Sequence, residues 1–265
     1  MDPGPLVGIA VAVLMILVGN ALEGGHITSL LGLPAAMIVI GGTVGAVIVQ
    51  FPFPTLASSL KLAGMLFKKP AVEPPKIVDE IVEYANKARR DGILALEKLA
   101  PNASDPFLSR GLLMAIDGTD SNGIREAMEL VIMQEEEHSE DAAKVYEALG
   151  GYSPTIGIIG AVLGLIHVMA NLSDINAVGS GIAAAFVATI YGVGFANIIC
   201  LPLGGRIKLR ARDQAKLKEM MLMGVLAIQE GTNPKLIREK LAGYLAEHKT
   251  KTEGGSREAA TAPAA

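Results

Sequence analysis

The chain has 265 residues, of which 51% are hydrophobic and only 4% aromatic, and its formal net charge is −4. Net acidity gives no electrostatic footing for nucleic acid, and the lone cysteine, Cys200, excludes an intrachain disulfide. High apolar content beside ordinary charge content means apolar blocks alternating with polar ones, which argues against a soluble globule. Leu6–Leu22, Leu30–Val49, Tyr152–Leu172 and Gly179–Leu203 each reach or approach the ~20 residues of a spanning helix. The expected fold is an all-α polytopic membrane protein with four transmembrane helices.

Taken in order, the N-terminal MDPGPLVG has no basic region, and no small-residue cleavage pattern follows the first block. That block is therefore expected to persist as a membrane helix. The first two spans, about 6–22 and 30–49, fall within residues 1–50, and the EGGHITS connection between them carries no Lys or Arg. After the second come Lys61, Lys68, Lys69 and Lys76, which by the positive-inside rule place the following segment in the cytoplasm.

That segment, 51–151, reads as a helical cytoplasmic domain. Ile77, Ile81 and Tyr84 recur at three- and four-residue steps between charges, as an amphipathic helix requires. A second long helix is expected from a cap near Asp120–Ser121 to Gly150–Gly151. Between them, RRDGILALE is expected to form a short helix with Arg90 and Glu97 on nearly one face beside Arg89, alone no more than a solvated surface. The acidic EEEHSED run cannot converge on one metal, because adjacent helical residues point in different directions.

The last two spans occupy 152–203, about 152–172 and 179–203, joined by an SDINAVGS loop without Lys or Arg. Arg206, Lys208, Arg210, Arg212, Lys216 and Lys218 follow on an expected cytoplasmic helical segment, 204–249. Residues 250–265 are small and polar enough to be expected disordered. Both termini are then cytoplasmic.

Within the spans, small residues recur at helix-contact spacing: Gly41 and Gly45; Gly157, Gly160, Ala161 and Gly164; Ala184, Ala188 and Gly192. Such faces let backbones approach closely in lipid. The second span's pair can serve self-packing. On the third and fourth the faces exceed that need, so a partner helix from another chain is expected. No acid lies centrally in any span, and His167, near the outer third, reads as packed or interfacial. If the protein moves ions, another chain must supply the carboxylate. Pro154 and Pro202 bracket the same pair of helices, as punctuation or as two breaks at one depth that form a hinge.

Four spans, a large insertion after the second, RRDGILALE, PTIGIIGAVLGL and TIYGVGFAN…LPLG together resemble the MotA/PomA flagellar stator proteins over nearly the whole chain. The resemblance implies a homopentamer in the bacterial inner membrane around a MotB-type single-span partner that carries the ion-binding aspartate. It implies torque on the rotor protein FliG through Arg89, Arg90 and Glu97, and energy conversion at Pro154 and Pro202. It places Thr189 on the ion path. At Ala161 the sodium-driven members carry threonine, and a methyl is no ligand for sodium, so proton drive is expected. No cofactor, metal, bond-making activity or nucleic acid is implied. The alternatives are an ExbB/TolQ-type energy-transducing subunit, for which three spans would be expected, and a passive membrane scaffold.

Overall fold

In the computed structural model the described residues are 3–67, 73–170, 172–173 and 175–243, with the side chains of 176 and 177 excepted. The expected tail at 250–265 lies outside them. Among the described residues every regular element is helical. Packing divides them into two compact units: 3–67 with 137–211, and 73–136 with 212–243. Division by packing thus falls at other residues than division by hydropathy.

The first unit holds the apolar helices. These are α1 (Gly4–Leu22); α2 (Leu33–Ala36), which continues through a π-helical turn (Met37–Gly41) into α3 (Gly42–Gln50); α4 (Phe53–Met65); and α8 (Ile175–Gly194). Among the described residues, four helical runs are long and apolar enough to cross a membrane: Gly4–Leu22, Ile27–Gln50, Ser121–Ala170 and Val178–Gln229. The α1 helix buries none of its own residues, so its sides are left for lipid or another chain. Ala63 and Leu66 of the α4 region close over Ala143, Tyr146 and Ile207, which ties α4 and residues 137–151 to the membrane helices.

Two helices run further than their sequences predict. The α7 helix is unbroken from Ser121 to Ala170, through the expected stop at Gly150–Gly151 and through Pro154. The α8 helix passes through a π-helical segment, Phe195–Cys200, into α9 (Leu201–Gln229), so Pro202 does not end it either. Proline lacks an N–H, and its ring clashes with the carbonyl four residues back. Ahead of Pro202 the amide of Leu201 bonds to the carbonyl of Ala196, five residues back, and this wider ring takes up the misfit.

The second unit has a core of its own. The α5 helix (Pro74–Asp91) buries Ile77, Ile81 and Tyr84 as their spacing predicts. They meet Leu108 and Leu112 of α6 (Pro106–Ile116), Ile124 and Met128 of α7, and Met220, Met221 and Val225 of α9. A fully buried aliphatic side chain of this kind contributes ~1.5–3 kcal/mol. The α7 start is capped where expected, the amide of Gly123 donating to Asp120 Oδ1 at 3.2 Å, and a second cap forms where the amide of Lys235 donates to Asn233 Oδ1 at 3.0 Å. The second cap opens a helix over 234–243.

Candidate functional site: a glycine seam and a basic–acidic turn

Glycine lets two helix backbones touch, and the seam between α7 and α8 is built that way. A β-carbon on Gly157 would lie 3.0 Å from the Ala188 carbonyl oxygen and 3.2 Å from Gly192 Cα. On Gly160 it would lie 2.9 Å from Ala188 Cβ, and on Gly164 3.0 Å from Ala185 Cβ. On Gly192 it would meet backbone on three sides, with Ser153 O at 2.7 Å, Gly157 Cα at 3.1 Å and Pro154 Cα at 3.2 Å. Gly181 extends the contact to Val168.

This arrangement redirects the expectation drawn from the small faces. Gly157, Gly160, Gly164, Ala188 and Gly192 pack within the chain, and Ala184 lies exposed off the seam, where Ala185 takes its place. The second span behaves in the opposite sense: Gly41 and Gly45 are exposed, with nothing near where a β-carbon would stand. Spacing identifies a close-packing face but not its partner, which explains the reversal. Ala161 and Thr189 are half-buried, one helical step off the seam. The Thr189 hydroxyl donates to the Ala185 carbonyl at 3.4 Å, leaving its lone pairs available.

The prolines do not share one depth. Pro154 lies beside Gly192, about three turns before Pro202 on the neighbouring helix. The contact at Pro154 is reinforced by Ser153, which is fully buried and donates its hydroxyl to the Gly192 carbonyl at 2.9 Å. Sequence reasoning missed Ser153; its place one residue before a mid-helix proline was the available signal. It also missed Tyr191, whose hydroxyl donates to Leu30 O at 2.7 Å and accepts from Gly32 N at 3.1 Å, fixing the start of the second span.

In the second unit, Arg89 and Arg90 occupy the last turn of α5 and Glu97 follows a 3₁₀ turn, Ile93–Leu96. The sequence predicts one short helix for all three, and the structure divides them between two elements. Gly92 stands between them at φ 84°, a left-handed conformation suited to glycine, and breaks the helix. All three side chains are exposed, and among the described residues no ion pair or hydrogen bond engages them. Leu94, also exposed, stands between the basic and acidic groups, while Leu96 anchors the turn in the core. The chain beyond is tied back through Glu80. Its carboxylate accepts from the Tyr84 hydroxyl at 2.7 Å, from the Ser104 amide at 3.0 Å and from the Ser104 hydroxyl. Burial first, then the bond to Glu80, raises the Tyr84 phenol well above its ordinary range.

Comparison with known proteins fits this geometry. Residues 99–220 match the MotA/TolQ/ExbB proton channel family, and residues 6–92 match the motility protein A N-terminal family. Motility protein A of Bacillus subtilis is 35% identical over 92% of this chain and 91% of its own. The C. jejuni MotAB structure superposes with a TM-score of 0.88 at 32% identity, over 92% of this chain and 96% of that one. The flagellar MotAB stator complex from Bacillus subtilis gives a TM-score of 0.86 at 34% identity, over 93% and 98%. The N-terminal match covers the two spans that an ExbB-type subunit would not be expected to have in full. The chain belongs to the motility protein A family, and it is a multi-pass membrane subunit of the flagellar stator rather than an enzyme.

Proposed function

We propose that several copies of this chain, five in the family's arrangement, surround the membrane helices of a MotB-type single-span partner, and that proton flow between them drives torque. Both matched structures are of MotAB assemblies, which supports the partner. The observation that carries the reading is that residues 4–22, 27–50, 152–170 and 178–203 contain no Asp, Glu, Lys or Arg. An ion in hydrocarbon needs a counter-charge, so the titrating carboxylate belongs to the partner. Ala161, a methyl where sodium-driven members carry a hydroxyl, supports protons over sodium. The seam holds α7 and α8 at backbone contact, so the partner's helices run along its flanks, past Ala161 and Thr189. Pro154 and Pro202 pass the motion to the cytoplasmic part. There Arg89, Arg90 and Glu97 engage the rotor protein FliG by charge complementarity, without cofactor or metal. Basic segments after the second and fourth spans support cytoplasmic termini, with the spans in a bacterial inner membrane.

The test is co-expression with the partner in a motile host lacking its own stator. Swimming in sodium-free medium that stops on adding a protonophore is the expected outcome. Proton flux in liposomes is expected only when both chains are present; conduction by this chain alone would overturn the reading. Exposed ion pairs are worth ~0–1 kcal/mol each, so single reversals at Arg89, Arg90 or Glu97 slow swimming and the triple reversal abolishes it.

A further inference from the structure

The α4 helix uses only one of its faces within the chain. Ala63, with Leu66 just beyond, packs against Ala143, Tyr146 and Ile207, and the Tyr146 hydroxyl donates to the carbonyl of buried Ser59 at 3.4 Å. At the far end the Arg210 guanidinium donates to the Met65 carbonyl and fixes the helix on that side. The hydroxyls of Ser58 and Ser59 turn back to the carbonyls of Thr55 and Leu56 at 2.9 and 2.8 Å, so neither calls for water. Away from the packed side, Phe53, Ala57, Leu60 and Gly64 form one stripe at helical spacing, and all four are exposed, Phe53 at 72% and Leu60 at 73%. Lys61, beside the stripe, is the one charge on the helix. It is exposed, and among the described residues no ion pair or hydrogen bond engages it. The second span ends at Gln50, and only Phe51 and Pro52, both extended, separate it from α4. Three chain steps cover at most ~10 Å, so α4 starts within the headgroup layer that borders the hydrocarbon.

We propose that this face of α4 docks on anionic phospholipid in the leaflet where the second span ends. Phe53 and Leu60 enter the boundary between headgroups and acyl chains, and Lys61 reaches up on its apolar stem to the phosphates. Two observations favour lipid over a second copy of this chain. Exposed apolar surface runs on across the two-residue link, from Ile48 and Val49 at the end of the span to Phe53, so the face continues one that already meets lipid. Charge points the same way. Two copies meeting through this face would bring Lys61 towards Lys61, and residues 24–67 contain no acid to separate them. A cation with no acid beside it suits an anionic surface instead. This docking surface rests on the membrane reading of the spans, and its leaflet on the orientation proposed above, but not on the motor function.

The chain has no tryptophan, so one placed at either exposed position is a lone reporter. Full-length Phe53→Trp and Leu60→Trp are reconstituted in vesicles of phosphatidylcholine and phosphatidylglycerol, with bromine on one lipid at a time, near the headgroup or near the chain end. Leu14→Trp, exposed in the middle of α1, is the depth control. Bromine near the headgroup is expected to quench Phe53→Trp and Leu60→Trp most, and bromine near the chain end to quench Leu14→Trp most. Half-quenching of Leu60→Trp is expected to need about fivefold less brominated phosphatidylglycerol than brominated phosphatidylcholine. Adding Lys61→Gln abolishes that preference, Lys61→Arg keeps it, and high salt weakens it. Full quenching of both reporters by aqueous acrylamide, with none by bromine, overturns the docking. So does equal quenching by the two lipids, or a preference that survives Lys61→Gln. Protection from acrylamide without bromine quenching would assign the face to another copy and overturn it as well. If Leu14→Trp escaped deep bromine, the membrane reading itself would fall. None of these readouts uses swimming, so a failed motor reading and a failed lipid surface give different results.

Discussion

Gly192→Ala probes the seam with a single methyl. Its β-carbon would stand 2.7 Å from the Ser153 carbonyl oxygen, 3.1 Å from Gly157 Cα and 3.2 Å from Pro154 Cα. Attractive contacts settle near ~3.5 Å or beyond, so the helices must part by up to about 0.8 Å. All three obstacles are backbone, and no side chain can swing aside. Overpacking of this kind costs ~1–3 kcal/mol. The same separation stretches the Ser153–Gly192 hydrogen bond, a further ~0.6 kcal/mol for an interhelical bond in a membrane. Summed, ~1.6–3.6 kcal/mol lowers the melting temperature by roughly 3–14 °C in a chain of this size. Because the chain has no tryptophan, circular dichroism in detergent is the suitable measure of unfolding. Gly194→Ala is the control, a helical glycine two residues on with nothing within 4 Å of the added carbon. Equal melting of Gly192→Ala and Gly194→Ala, with full swimming in both, would refute the close-contact argument.

Ser153→Ala removes only the bond to the Gly192 carbonyl and should lower stability by ~0.6–1 kcal/mol, read by the same melt. Arg90→Glu reverses an exposed side chain without a described partner, so swimming speed is expected to fall while the melting curve is unchanged. Glu80→Ala frees three donors around Ser104 and Tyr84 and should cost ~1–2 kcal/mol, detected as faster proteolysis near residue 104. The folded chain holds the Tyr84 proton more tightly than an unfolded chain, whose ordinary value is 10.0. The associated stability is therefore present below pH 10 and lost as pH climbs above it, so Tyr84→Phe should flatten the alkaline limb of the stability profile. Ala161→Thr restores the hydroxyl of sodium-driven members and is expected to make swimming speed respond to added sodium in a proton-limited medium.

Hydropathy located the four spans because burying a backbone in lipid demands long apolar runs, and charge spacing located the α5 face because a soluble core demands the same. What sequence could not resolve was which surfaces meet. Gly157 and Gly45 carry the same spacing, yet one touches Ala188 and the other nothing in the chain. Helix ends were misplaced where two neighbours cooperate. Gly150–Gly151 and Pro154 read as stops, but the stop is overridden by packing of Ser153 and Gly157 on Gly192. Conversely, RRDGILALE read as one helix, and a single glycine at φ 84° divides it. Arg89, Arg90 and Glu97 were therefore legible as residues but not as a geometry.

The π-helical segment 195–200 holds each bonded ring open by one residue more than an α-helix would. One residue of α-helix corresponds to about 100° of rotation and 1.5 Å of rise. The compass bearing of Arg206 and of its neighbours up to Ala211 is thus set by a register choice made inside the apolar span. Deleting one residue from 195–200 would be absorbed as a turn of the screw rather than as a broken helix. The length of this segment sets the azimuth of residues 201–211 within the first unit.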